Sequence, residues 1–396
     1  MTLTVTRGLE SAARAVLVAA ALGIGATPAW ADPPTPLSPE QFAFPGSTVG
    51  PASAVSTGVA LADRWLGDEP FENPAAPHGL RIILSPALVR VSRQDLRADN
   101  REYSETAAFL DGAGVAIGLP VPRRLTLAAY AYQPVLRIED NAYVRGRLAP
   151  DPGTTPAVIA SHSSAREVRA GAALAAALGA CRAGVGVEWT HREDRYQVSE
   201  QSADPVTAGS DSLGFKGSAV GMQAGVRWDH GDSTAGSFAV GAALRYLPAL
   251  EVKGEHTVVR AAGSTADSFS AERSSGWEMG VSARVVVSPV FSAFVGVGGR
   301  TAQHWEGLDL AAGRAWEWKL GGEFHDERAA WALRFGLGQE RQSDVPEPRA
   351  NVVAVGFGWR FSDFAADVGG ERRTLVRTGE PRSAEDRVVV SLRVPR

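Results

Sequence analysis

Sulfur is what the chain has least of: one cysteine, Cys181, and three methionines in 396 residues. A single cysteine excludes an internal disulfide and every zinc or iron–sulfur site that needs several thiolates. Histidine is nearly as scarce, seven in all, at 78, 162, 191, 230, 256, 304 and 325. No His-x-His or Glu-x-x-His spacing suggests a metal site. Neither sign of charge dominates, with 40 basic against 44 acidic side chains and a net charge of −4. That leaves no basic field for nucleic acid. Long hydrophobic runs are missing too. The longest, Ala15 to Ala26, is about a dozen residues, short of the ~20 that a membrane helix needs. Ser161-His162-Ser163 falls in an expected loop with no third partner positioned beside it, so no catalytic residue and no cofactor is called for.

What is present begins with an export signal. Arg7 and Arg14 precede the Ala15–Ala26 run, and Ala29-Trp30-Ala31 makes a small-x-small cleavage site before Asp32. Residues 1–31 are therefore expected to be a removed signal peptide. Residues 32–79 form a second region, rich in Pro, Ala, Ser and Gly and without sustained periodicity.

From about Leu80 onward the chain alternates with a period of two. Trp316, Trp318, Leu320 and Phe324 fall on one face, and Glu317, Lys319 and Glu323 on the other. Trp331, Leu333, Phe335 and Leu337 oppose Ala332, Arg334, Gly336 and Gly338. Val353, Val355, Phe357, Trp359 and Phe361 oppose Ala354, Gly356, Gly358 and Arg360. Two unlike faces are what alternating side chains give a strand. Many of these segments run to ten residues or more, against five or six in a soluble sandwich. Their apolar faces carry aromatics towards the ends, and their other faces mix charge with Gly and Ala. This pattern predicts an all-β fold, a transmembrane antiparallel β-barrel that is apolar outside and polar inside. Such a sheet must close, because an open edge would strand backbone groups in hydrocarbon.

Strands are predicted near 81–95, 105–119, 123–138, 165–178, 182–198, 216–229, 236–258, 266–287, 289–304, 314–325, 329–340, 351–361, 363–374 and 384–394. That is fourteen, an even number, with short and long connections in alternation. Segments 236–258 and 266–287 exceed a membrane span and are expected to project as a long hairpin. The inner charges Glu317, Lys319, Glu323, Arg334 and Arg360 are expected to pair across neighbouring strands.

Just ahead of the first strand stand Ala60-Leu61-Ala62-Asp63-Arg64-Trp65 and Phe71-Glu72-Asn73-Pro74-Ala75-Ala76. An Asn-Pro-Ala tripeptide in this place, followed by fourteen strands, resembles the FadL family of outer-membrane transporters of hydrophobic compounds. The resemblance runs from about residue 40 to the end. It implies a division into a hatch or plug, 32–79, and a barrel, 80–396, in an outer membrane. It implies hydrophobic small molecules, long-chain fatty acids among them, as cargo, with outer-membrane lipid and the barrel-assembly machinery as partners. Barrels of this kind usually end in an aromatic residue, where this chain has Val394-Pro395-Arg396. Asn73, Pro74 and Ala75 are the hatch motif that carries over.

In the family, substrates leave sideways at a kink in the third strand. Pro134 lies in predicted strand three and cannot donate to a sheet ladder. Gln133, Pro134 and Val135 are thus the candidate gate, and Asp111-Gly112 in strand two, where glycine tolerates a bulge, the second candidate. A diffusion porin for polar solutes, or a barrel that serves as a scaffold or secretion partner without transport, are the other functions compatible with these residues.

Overall fold

The computed structural model describes residues 57–66, 69–75, 81–98, 101–109, 113–121, 124–145, 157–202, 209–231, 236–260, 263–306, 310–326, 330–343, 349–361, 364–376 and 383–395. The strands are β1 (Arg81–Ala98), β2 (Arg101–Phe109), β3 (Ala113–Val121), β4 (Leu125–Arg145), β5 (Ala157–Leu178), β6 (Cys181–Ser202), β7 (Gly209–His230), β8 (Phe238–Leu247), β9 (Leu250–Arg260), β10 (Gly263–Arg273), β11 (Gly276–Ser288), β12 (Phe291–Arg300), β13 (Gln303–Glu306), β14 (Leu310–Ala312), β15 (Ala315–His325), β16 (Trp331–Gln342), β17 (Arg349–Arg360), β18 (Ala365–Val376) and β19 (Ser383–Pro395). All of them join one antiparallel sheet, and β1 pairs with β19, from Arg81↔Pro395 to Gln94↔Ser383. The series of pairings therefore returns to its start. Five wall strands are each built of two pieces laid end to end: β2 with β3, β8 with β9, β10 with β11, β12 with β13, and β14 with β15. The nineteen strands thus make fourteen staves, the number expected from the alternation.

The two faces divide as the period of two requires. Leu333, Phe335, Leu337, Val353, Val355 and Phe357 point outward and are exposed, while Ala332, Arg334, Ala350, Val352 and Ala354 are buried. Trp316, Trp331 and Phe335 are not core residues; each is more than 40 % exposed on the outer face. Aromatic side chains gather towards the short-turn end, as in Phe291 against Phe324 at 4.5 Å and Phe361 against Phe364 at 4.4 Å. This is the lipid-facing band and aromatic girdle of a transmembrane barrel. Short turns such as Gly179-Ala180, with Gly179 at φ 68°, close one end.

Two expectations need correcting. The stretches 139–164 and 199–215 are not loops throughout: β4 continues to Arg145, β5 begins at Ala157, β6 continues to Ser202 and β7 begins at Gly209. Ser161-His162-Ser163 is accordingly inside β5, paired with Val198, Gln197 and Tyr196. The long hairpin, β9 with β10, is real but is one part of a taller wall that includes β4 to β7. These extensions stand beyond the outer apolar band, so the apolar-outward alternation that marks a lipid-facing strand in sequence fades. Several staves break at one level, at 248–249, 274–275 and 301–302, where Ser274 and Thr301 bridge neighbouring pieces through His304 O and Trp277 O.

Candidate functional site: the enclosed face

Residues 57–66 and 69–75 lie against the charged, inward face. Thr57–Leu66 is a chain of tight turns, with Ala60 N bonded to Thr57 O, Ala62 N to Val59 O, Arg64 N to Leu61 O and Leu66 N to Asp63 O. Ala60 and Leu61 hold positive φ, 54° and 62°, a strained backbone for residues with a side chain. Both are almost fully buried, so the surroundings hold them there. The wall makes room with glycine. A Cβ at Gly184 would meet Pro74 and Ala75; at Gly225, Asn73; at Gly241, Trp65 and Leu66; at Gly280, the Trp65 ring; at Gly336, Val59 and Ala60; at Gly356, Gly58. These glycines sit on β6, β7, β8, β11, β16 and β17, so one short segment touches wall strands from well-separated parts of the sheet.

Asn73 does more than close a turn. Its side chain is fully buried, and Nδ2 donates to Trp65 O at 2.6 Å and to Val226 O at 3.2 Å, while the Ala75 N–H donates to Oδ1 at 2.9 Å. Pro74 and Ala75 follow against Gly184. The residues around this motif bind the segment as well, and sequence reasoning missed them. Arg64 pairs with Glu278 at 2.7 Å and stacks over Trp65 at 4.5 Å, and Trp65 N donates to Ser282 Oγ at 3.1 Å. Phe71 packs on Tyr130 and Tyr132, with ring centroids 6.2 Å and 5.1 Å away. Glycines alternating with charges on the inner faces were the available signal, since a lumen filled only by water and long side chains needs no such close approach.

Reading up β6 from the short-turn end gives the rest of the interior in order. Above Gly184 comes Glu188, which accepts from Tyr132 Oη at 3.0 Å and pairs with Arg169 at 3.2 Å. Arg192 follows, paired with Asp194 at 2.6 Å, while Glu167 of β5 takes Arg169 at 2.7 Å and Arg273 at 3.3 Å. Buried charge is tolerated here because each carboxylate meets a guanidinium. Above this layer the chemistry changes. Tyr196, Phe215, Leu250, Val252, Ala271 and Trp305 form a buried apolar cluster on the same inner face. Phe215 lies 5.9 Å from both Trp305 and Phe269, and the Arg192 and Arg273 guanidiniums approach the Trp305 ring at 5.6 Å and 5.9 Å.

The expected pairing of inner charges holds in part. Lys319 meets Glu317 at 2.9 Å and Glu340 at 3.1 Å, and Arg334 meets Glu323 at 2.6 Å and Asp367 at 2.8 Å. Arg360 is the exception: it stands at the rim, where its strand ends, and forms no ion pair with a described residue.

The wall beside the candidate gate is irregular. β3 pairs with β4 from Val121↔Leu125 to Gly114↔Tyr132 and no further, and β2 pairs with β1. Among the described residues β4 has no ladder partner on that side beyond Tyr132. On its other side the β4–β5 register shifts by one between Tyr132 and Val135. Gln133 and Pro134 occupy that bulge, and Gln133 Oε1 accepts from Arg166 Nε at 3.3 Å. The β1–β19 register also shifts, between Ala87 and Val89. Asp111 and Gly112 lie outside the described residues.

The sequence matches no family model and no curated protein. Solved structures do resemble this one. The CymD monoaromatic hydrocarbon channel is 14 % identical, with a TM-score of 0.59 over 88 % of this chain and 98 % of its own. A FadL homologue from Pseudomonas aeruginosa is 12 % identical, with a TM-score of 0.62 over 86 % of this chain and 97 % of its own. The toluene transporter TodX of P. putida is 12 % identical, with a TM-score of 0.59 over 86 % and 97 %. The fold of this chain is that of the FadL-type barrels.

Proposed function

We propose that this protein carries small hydrophobic compounds, fatty-acid-like in chemistry, across an outer membrane without any catalytic step. In this reading residues 32–79 are a plug, and the cargo leaves through the wall. The observation that carries it is the apolar cluster of Tyr196, Phe215, Leu250, Val252 and Trp305, set inside the long-loop end of the lumen above a layer of ion pairs. A path for water-soluble solutes gains nothing from such a surface. An apolar solute does, at about 25 cal/mol per Å2 removed from water. The likeness in fold to a FadL homologue and to channels for monoaromatic hydrocarbons and toluene supports the same reading.

Straight passage is opposed by the layer beneath. An apolar solute moving past Glu188, Arg169, Glu167 and Arg192 would separate buried ion pairs and leave them unsolvated. A side exit avoids that layer and delivers the solute to hydrocarbon. Gln133, Pro134 and Val135 are the proposed gate, with Asp111-Gly112 as the second candidate, and the first is supported by the end of the β3–β4 ladder at Tyr132 and the bulge that follows. Phe71 packs on Tyr132, the last paired residue before the bulge, so plug and gate would move together. Restoring a donor with Pro134→Val should slow uptake of a labelled fatty acid in cells while folding, read by heat-modifiable gel mobility, is unchanged. Uptake equal to the parent's would remove Pro134 from the gate. A diffusion porin is the less favoured alternative, because residues 57–66 and 69–75 occupy the enclosed face.

A further inference from the structure

At the short-turn end, away from the apolar cluster and from the gate, a cavity of about 370 Å3 opens between β11, β12, β15, β16, β17 and β18. Three guanidiniums line it, Arg284, Arg334 and Arg360, with two carboxylates, Glu323 and Asp367. Both carboxylates take Arg334: it donates to Glu323 at 2.6 Å and to Asp367 at 2.8 Å. Arg284 and Arg360 are left without an ion pair among the described residues. Arg284 is half-buried, and its Nε, shielded from solvent, has no hydrogen-bond partner among the described residues. A cation in that position is normally paired or hydrogen-bonded. Among the described residues that line the cavity, three side chains are cationic and two are anionic.

We propose that this cavity binds a phosphate group, with Arg284 and Arg360 as its donors. A guanidinium presents a planar fork of N–H groups that matches phosphate oxygens two at a time, and it stays charged under all ordinary conditions. A phosphodiester carries a single negative charge, matching the excess of cationic over anionic side chains among the described lining residues. Trp331 and Trp359 also line the cavity and lie exposed on the outer face beside it. Tryptophan in such a place sits at the level of lipid headgroups. The arginines are on the inward face and the two tryptophans on the outward one, so the phosphate enters under the short-turn rim; the phosphodiester of a membrane lipid reaching under that rim is the favoured source, and free phosphate is the other.

The test uses the full-length protein in a non-ionic detergent. Dihexanoyl phosphatidylglycerol and inorganic phosphate are titrated separately, and bound ligand is counted by native mass spectrometry. One lipid should bind per barrel, and Arg284→Gln and Arg360→Gln should each weaken it at least ten-fold. Arg360 is exposed at the rim, so its replacement leaves folding intact. Arg182→Gln is the control, since Arg182 is another rim arginine but is already paired with Asp229 at 2.7 Å. Inorganic phosphate binding with the same dependence on Arg284 and Arg360, and no gain from the lipid, would support the site and assign it to free phosphate. Binding that is absent for both probes, or equal in the parent and both variants, would overturn the proposal.

Discussion

Replacing Asn73 with alanine should loosen the segment on the enclosed face while sparing the wall. Two short hydrogen bonds are lost, from Nδ2 to Trp65 O at 2.6 Å and from the Ala75 N–H to Oδ1 at 2.9 Å. Each is worth about 0.5–1.5 kcal/mol net, and each buried group left without a partner costs about 1–3 kcal/mol. Both orphaned groups belong to buried residues, Trp65 and Ala75. Partial relaxation would bring the total to about 2–4 kcal/mol, or roughly a 30- to 1000-fold rise in the undocked population at 1.4 kcal/mol per tenfold. Hydrogen exchange read by mass spectrometry should show faster exchange in peptides covering 57–75, with strands β6 to β8 unchanged. Asn73→Asp keeps the acceptor and loses the donors, so it should fall between the parent and the alanine variant. Equal protection of 57–75 in Asn73→Ala and the parent would refute the reasoning, because the segment would then be held by contacts that do not pass through this side chain.

Leu333 and Val355 are 50 % and 62 % exposed on the outer face; Leu333→Arg or Val355→Arg should destabilise the barrel in lipid by about 2–4 kcal/mol near the midplane, measured by denaturant unfolding from vesicles. Deleting residues 40–70 should raise the conductance of planar bilayers to small ions, and conductance equal to the parent's would refute the plug. Glu72 offers a test by pH. Burial and the neighbouring Glu69 hold its carboxyl well above the usual carboxylate range, with Arg64 acting in the opposite sense. The docked segment therefore keeps a proton that the undocked one gives up, so docking is favoured below the ordinary carboxylate pKa and weakens as pH rises through the docked value. Leak through the barrel should grow as pH rises above the ordinary carboxylate pKa, and Glu72→Gln should flatten that rise.

The wall was legible in the sequence because a lipid-spanning strand must show two unlike faces, and Trp331, Leu333, Phe335 and Leu337 display one of them without interruption. The same rule explains the failures. Beyond the lipid band, 199–202 of β6 and 209–215 of β7 have no lipid-facing side to mark them, so these strand ends read as a loop. Residues 57–75 were legible only as a region lacking periodicity. A segment that is enclosed on every side has no solvent face to alternate against, and Val59, Leu61, Trp65 and Phe71 each bury against a different partner. Its imprint lay elsewhere in the chain, in inward positions such as Gly184, Gly241, Gly280 and Gly336, where any Cβ would collide with it. The bulge at Gln133-Pro134 was visible because proline states its own constraint on the ladder. The loss of pairing between β4 and β2 could not be read that way. It depends on the register of two strands well apart in sequence, and register depends on the whole sheet rather than on any one residue.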